Sequence, residues 1–215
     1  PELQDKYANG NHGTTNYYYT AKYGGLYPDG MKLYDNFAAV LQTGFTQKHN
    51  VSVEGGSETG TIRATFSHMG QEGVIKNTDY GRTSLSLAGQ AQITKWLKFE
   101  GSMQFAKTDN TKALRGTDGP LYRSMIWPMV DDMSVYLDED GSHMRYPNYY
   151  IDQDLLNPLF DLNKSKFFDK SDRLISNVKF NLKPTQNTFF IAQMGWDFGM
   201  QTFVTSRHPY YSARN

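Results

Sequence analysis

From Phe45 the chain alternates between apolar and polar residues, and that period of two predicts β-strands. His49, Val51 and Val53 take one side, with Asn50, Ser52 and Glu54 between them. A Gly55-Gly56-Ser57-Glu58 turn leads to Ile62, Ala64 and Phe66 on one face and Thr61, Arg63, Thr65 and Ser67 on the other. After a loop over 70–79, Thr83, Leu85, Leu87, Gly89 and Ala91 alternate with Ser84, Ser86, Gln90 and Gln92. A short turn near 93–95 precedes Leu97, Phe99, Gly101, Met103 and Phe105, interleaved with Lys98, Glu100, Ser102 and Gln104. The pattern stops over 108–171. It resumes with Leu174, Ser176, Val178, Phe180 and Leu182, opposite Asn177, Lys179 and Asn181. A turn over 183–187 leads to a long last strand. There Phe190, Ala192, Met194, Trp196, Phe198 and Met200 face away from Gln193, Gly195, Asp197, Gly199 and Gln201.

The rest reads differently. Residues 1–30 are polar, rich in Asn, Gly and Tyr, and predict a surface loop. Leu33, Tyr34, Phe37, Val40 and Leu41 gather on one face of a helix, with Asp29 and Gly30 to cap its start and Gly44 to end it. Within 108–171, Pro120 suits the first position of a short helix over 120–127, and Pro128 stops it. Asp140-Gly141 marks a hairpin turn. The remainder of that insertion reads as irregular and aromatic.

The predicted strands run about 10 to 13 residues, the last longer, where soluble strands average about 5 to 6. A tilted strand crosses the hydrocarbon layer in about 9 to 11 residues. Lipid admits strands only in closed barrels, because every backbone donor and acceptor must be paired. The loops run short, medium, short, very long, short, like the periplasmic turns and extracellular loops of bacterial barrels. The expected fold class is therefore all-β, an antiparallel transmembrane β-barrel segment with a long extracellular insertion holding a short helix. Its parts are an extracellular loop with an amphipathic helix at 1–44, four barrel strands at 45–107, and a long extracellular loop at 108–171. Two further strands follow at 172–205, then the start of another extracellular loop at 206–215. Six strands are too few to close, which leaves two exposed edges. A soluble β-sandwich gives the same alternation and stays open as the alternative.

Composition fits a sheet with one greasy and one wet face. Hydrophobic residues make up 38% of the chain, a low share for a globular core, while aromatics reach 14%. With 22 basic and 22 acidic residues no basic surface dominates, which argues against a nucleic-acid partner. The absence of cysteine excludes a disulfide framework, a thiolate metal site and a cysteine nucleophile. No apolar run approaches the length of a spanning helix. The start at Pro1, without Met or a targeting segment, reads as a piece of a longer precursor.

No catalytic constellation stands out. His12, His49, His68, His143 and His208 are scattered without metal-ligand spacing. Asp138, Asp140 and Gly141 resemble part of a calcium loop, but Tyr136 stands where a ligand is needed. Asp131-Asp132 reads as solvation of a surface segment rather than a glycosidase pair. No cofactor or metal is implied, and no enzyme activity is expected. The aromatic residues in the predicted outer loops, Tyr122, Trp127, Tyr136, Tyr146, Tyr149, Tyr150 and Tyr211, are candidates for contact with cargo or a lid protein. Packing of the loops against one another is the plainer reading for each. Arg63, Lys98, Glu100, Lys179 and Asp197 are expected to face the lumen, since charge on the lipid face is costly at mid-bilayer. Ile62, Phe66, Leu85, Leu87, Phe99, Met103, Phe180, Met194, Trp196 and Phe198 are expected to face lipid. Trp96 and Tyr80 suit the membrane interfaces.

Two stretches carry a family resemblance. Residues 43–58, TGFTQKHNVSVEGGSE, and 71–82, QEGVIKNTDYGR, resemble hallmark segments of SusC/RagA-type TonB-dependent transporters in order and spacing. Thr94-Lys95-Trp96-Leu97-Lys98 is similar to the next periplasmic turn. Tyr136-Leu137-Asp138-Glu139-Asp140-Gly141 and Asn157-Pro158-Leu159 resemble elements of the family's long loop. The resemblance implies a roughly 22-stranded barrel filled by a plug, in which this piece supplies about strands two to seven. It implies import of oligosaccharides or peptides across the bacterial outer membrane, powered through TonB, with a SusD-like surface lipoprotein as lid. Two rival readings are a soluble glycan-binding sheet module and an outer-membrane barrel with an adhesive or structural role.

Overall fold

The computed structural model describes residues 7–9, 23–26, 28–139, 141–146 and 155–209, and for 7–9, 23–26 and 145–146 the backbone alone. A short ribbon pairs β1 (Tyr7–Asn9) with β2 (Tyr23–Leu26). A single helical turn, α1 (Asn36–Ala39), precedes the main sheet. That sheet holds β3 (Thr46–Ser57), β4 (Gly60–Glu72), β5 (Asp79–Thr94), β6 (Leu97–Thr111), β9 (Lys166–Thr185) and β10 (Thr188–Ser206). Between β6 and β9 lie a 3-10 turn at Gly116–Asp118, α2 (Pro120–Ile126), a ribbon of β7 (Arg145–Tyr146) with β8 (Leu155–Leu156), and α3 (Pro158–Lys164).

The six long strands form one antiparallel meander in the order β10-β9-β6-β5-β4-β3. Turns of two residues, Glu58-Thr59, Lys95-Trp96 and Gln186-Asn187, join one end. The opposite end carries the 73–78 loop and the insertion.

Register builds the two faces. Directly paired residues point the same way, so a row can be followed strand by strand. One row reads Val51, Phe66, Leu85, Phe105, Leu174 and Phe198, and the next reads Val53, Ala64, Leu87, Met103, Ser176 and Trp196. All ten residues expected to face lipid share this face. Along β6 its apolar positions run from Leu97 to Phe105, nine residues, close to the reach of a tilted strand across hydrocarbon. The following row, His49, His68, Thr83, Lys107, Asp172 and Met200, turns polar at every strand but the last.

The packed core lies elsewhere. Among the described residues, the buried hydrophobic side chains Val40, Trp127, Met133, Leu159 and Phe160 all lie outside the sheet, in the segments at its long-loop end. Large side chains on the sheet stay open, Phe198 at 69% exposure and Ile62 at 63%. The sheet is a wall with its own ladder of hydrogen bonds, and the loops make a small globule on top.

Several boundaries differ from the sequence reading. The helix expected over 33–41 contracts to one turn. Asp35 Oδ1 caps it by accepting the Ala38 N–H at 2.9 Å. Its neighbours spend their backbone groups outward: Tyr34 N–H donates to Met129 O, and Lys76 N–H to Val40 O. β6 runs on to Thr111, and β9 begins at Lys166. Phe167-Phe168-Asp169 breaks the alternation, but pairing on both sides holds the strand straight: Phe168 stands opposite Thr111 of β6 and Val204 of β10. The segment read as irregular contains α3, whose start is Asn157 capping Leu159 N–H with Pro158 in the first position. Asp140 lies outside the described residues; around it Leu137 bridges His143, and Gly141 takes φ +79°.

Candidate functional site

The second face of the sheet is polar, and its centre is charged. Arg63, Lys98, Glu100, Lys179 and Asp197 all point to this side. Glu100 stands directly across from Lys179 and from Gln90. Its carboxylate meets Lys98 Nζ at 3.0 Å and Lys179 Nζ at 3.5 Å, and accepts the Asn181 amide N–H at 3.1 Å. Higher up, Arg173 grips Asp197 in a two-pronged contact, Nε to Oδ1 at 2.9 Å and Nη2 to Oδ2 at 2.6 Å. Arg63 pairs in register with Glu54. Glu54, Arg63, Glu100 and Lys179 border a groove of about 370 Å³ on the sheet. The arrangement offers donors and acceptors along a strip of wall. Among the described residues no group of three or more metal-ligating side chains comes together.

Arg173 was not singled out from the sequence. It falls one step before the resumed alternation, at the edge of the segment read as loop, and extending the period of two backwards from Asn177 would have reached it. Asn181 sits in the same alternation and shows its role only through cross-strand register.

A larger trough of about 730 Å³ lies toward the short-turn end. Its lining includes Ile62, Leu87, Phe99 and Met103 from the apolar face, with Gly55, Gly89 and Gly101; at Gly55 the missing side chain leaves open space, and at Gly101 the Phe99 ring lies over the backbone. It backs onto the charged groove across the same stretch of sheet, sharing Ile62, Gly89 and Gly101 with it, and lies at the end away from the long loops.

The long-loop globule is held by two buried asparagines, Asn36 and Asn157, whose burial the sequence does not signal. Asn36 donates to Pro128 O and Asp131 O, and accepts the Met133 N–H. Asn157 donates to Met133 O at 2.7 Å, while its own N–H meets His143 Nε2 at 3.0 Å. The His143 ring stacks on Phe160, centroids 4.1 Å apart. An asparagine in a polar loop carries no sequence signal of burial; its partners lie about a hundred residues away or across the insertion.

The aromatic candidates separate. Tyr122 is exposed on α2 beside Leu121 and Met125. Trp127 is a correction: at 3% exposure it is a core side chain, with its indole N–H donating to Asp131 Oδ2 at 2.8 Å, and no face is left for stacking on a ligand. Tyr136 packs against the same core. Tyr146 pairs through its backbone with Leu155. The Tyr146 side chain, Tyr149, Tyr150 and Tyr211 lie outside the described residues. In the globule, burial raises the carboxyl pKa of Asp131 against the opposing Trp127 hydrogen bond, and burial also raises that of Asp161 against the Ser165 hydroxyl.

Among the described residues no helix is long and apolar enough to cross a membrane. No protein-family model and no curated protein matches the sequence. Among solved structures, the chain is similar to the RagAB peptide transporter, with TM-score 0.64 and 22% identity over 84% of this chain and 21% of that one. The RagAB peptide importer in its closed-closed and open-open states gives the same TM-score, at 21% and 22% identity. Each again matches over 84% of this chain. The chain thus spans about a fifth of the length of these solved chains. It has the fold of one stretch of the RagAB-type transporter, neighbouring antiparallel strands with the loops that join them.

Proposed function

We propose that this chain is part of the barrel wall of a SusC/RagA-like, TonB-dependent importer in a bacterial outer membrane. The observation that carries the reading is the segregation of the sheet. Its central rows are predominantly apolar on one face and predominantly polar on the other, with Ile175 and Ile191 as exceptions on the polar side, over a length suited to hydrocarbon, and the buried hydrophobic side chains among the described residues lie outside the sheet. A soluble sandwich needs a second sheet against the apolar face; the described residues contain none. The edges β3 and β10 are suited to pairing with further strands of a closed barrel.

On this reading the apolar face meets lipid, and Arg63, Lys98, Glu100, Lys179 and Asp197 line the lumen. The loop globule stands on the extracellular side. Cargo binds between loops, wall and a SusD-like lipoprotein lid, and moves inward when TonB displaces the plug. The wall performs no covalent chemistry. Likeness to a peptide transporter favours peptides as cargo, and oligosaccharides are the second class.

The test uses the full-length protein. It should fractionate with the outer membrane and need detergent, and its deletion should abolish uptake of one peptide or oligosaccharide class. Monodisperse behaviour in plain buffer, with uptake of every cargo unchanged by deletion, would count against the proposal.

A further inference from the structure

A second concave site lies where the insertion leaves β6. Ile75 of the 73–78 loop, Lys112, Leu114 and Arg115 of the strand exit, and Leu121 and Tyr122 of α2 border a groove of about 370 Å³. That volume suits one or two residues of a ligand.

Its electrostatics are one-sided. Of the four cations on or next to the lining, Lys112 is matched by Asp169 and Arg123 by Asp118 at 2.8 Å, while Lys76, beside Ile75, does not line the groove. Arg115 is not matched. It is exposed, and among the described residues it makes no ion pair or side-chain hydrogen bond. Asp79, Asp109 and Asp118, each next in sequence to a lining residue, do not line the groove. One unbalanced guanidinium is left at the rim of a hollow walled by Ile75, Leu114, Leu121 and Tyr122 together with the uncharged polar residues Thr78, Asn110 and Thr111. A guanidinium holds a carboxylate through two parallel N–H donors. Tyr122 and Leu121 offer apolar surface for the group that the carboxylate is attached to.

We propose that this groove is a cargo subsite for a carboxylate attached to a small apolar or ring body, with Arg115 as the residue that holds the charge. The inference rests on the importer reading and deepens it. Two cargo classes supply this chemistry: the free end or acidic side chain of a peptide, and the uronic acid of an oligosaccharide. A monoanion fits the single unmatched charge.

The test is calorimetric binding to the full-length protein in detergent micelles. The probes are tetra-alanine as free acid and as amide, and trigalacturonate beside trigalactose. At least one acid should bind more tightly than its neutral counterpart, and Arg115→Gln should weaken that acid about tenfold while leaving the neutral probe unchanged. Arg115→Lys should restore part of the loss. A response confined to the peptide pair or to the sugar pair identifies the source of the carboxylate. Equal affinity for acid and neutral probes, or a preference that survives Arg115→Gln, overturns the subsite. So does a variant whose only change is in bound lipopolysaccharide, since the groove would then face headgroups. Binding does not depend on energised transport, so acid-selective binding without uptake would keep the subsite and sink the importer.

Discussion

Asn36 Oδ1 accepts the backbone N–H of Met133 at 3.1 Å, tying the segment before the first long strand to the middle of the insertion. The same side chain donates to Pro128 O and Asp131 O. One buried amide thus serves three backbone groups in the loop, of which Pro128 O also accepts the Asp131 N–H at 3.2 Å. Asn36→Ala removes the side-chain partner of Met133 N–H and Asp131 O, at about 1–3 kcal/mol for such a loss. The expected result is faster proteolysis within 112–165, with the heat-resistant mobility of the sheet in detergent gels unchanged. Equal proteolysis of variant and parent would show that this tie does not hold the globule.

Trp127 and Tyr122, five residues apart, should behave in opposite ways. Trp127 is buried and packed against Val40, Met133 and Leu159. Trp127→Ala should destabilise the globule by about 3–5 kcal/mol, the range for removing a buried aromatic. Tyr122 is exposed, so Tyr122→Ala should leave stability within about 0.5 kcal/mol while weakening cargo bound in the adjacent groove. Hydrogen exchange over 120–165 separates the two effects from binding. A Trp127→Ala variant with unchanged exchange would restore it as a candidate ligand contact.

Leu87 and Ser86 sit side by side at the middle of β5 and point to opposite faces. Leu87→Arg places charge on the apolar face, at a cost of about 2–4 kcal/mol near mid-bilayer. Ser86→Arg places the same charge on the polar face. The expected outcome is loss of outer-membrane assembly for the first and normal assembly for the second. Similar yields of assembled protein would remove the basis for assigning the faces to lipid and lumen.

The sheet was legible because a period of two needs only near neighbours, and each strand carried its own copy of the signal. Its register was not, since the turns expected at 55–58, 93–95 and 183–187 are centred earlier than the two-residue turns at 58–59, 95–96 and 186–187, and Gly55, Gly56 and Ser57 pair within β3. What lay hidden depends on distance. Asn36 and His143 acquire their roles from partners in separate segments, and no local pattern marks them; Asn157-Pro158 marks a helix start but not the contacts of Asn157 to Met133 and His143. For Trp127 the plainer of two readings, packing of the loops, is the one that holds; an aromatic in a polar loop suits either, and only the segments around it decide. α3 had a local signal, Asn157-Pro158, which the surrounding aromatic composition masked. The expected helix over 33–41 failed the other way. Its apolar spacing is real, but the residues serve contacts to Met129, Ile75 and Lys76 rather than a helical face.

The globule should also be more stable in mild acid than at neutral pH. Asp161 is buried in α3, with Oδ1 accepting the Ser165 hydroxyl at 2.8 Å and Oδ2 without a hydrogen-bond partner. Burial raises its pKa, and the Ser165 hydrogen bond and the charges of Arg123 and Arg207 oppose that only in part. Burial raises Asp131 as well, with the neighbouring Asp132 charge adding to it. A raised native pKa means that the folded state binds the proton more tightly than the unfolded chain. Stability therefore falls as pH rises. The cost is fully present above the raised native pKa and is relieved on descending toward the ordinary carboxylate value of about 4. Hydrogen exchange over 157–165, corrected for its intrinsic pH dependence, should accordingly be slower at mildly acidic pH than at neutral pH. Asp161→Asn keeps the acceptor for Ser165 and removes the ionisation. It should slow exchange at neutral pH and flatten part of the pH dependence, leaving the Asp131 share. If the variant keeps the full pH dependence, the burial of Asp161 is not its source.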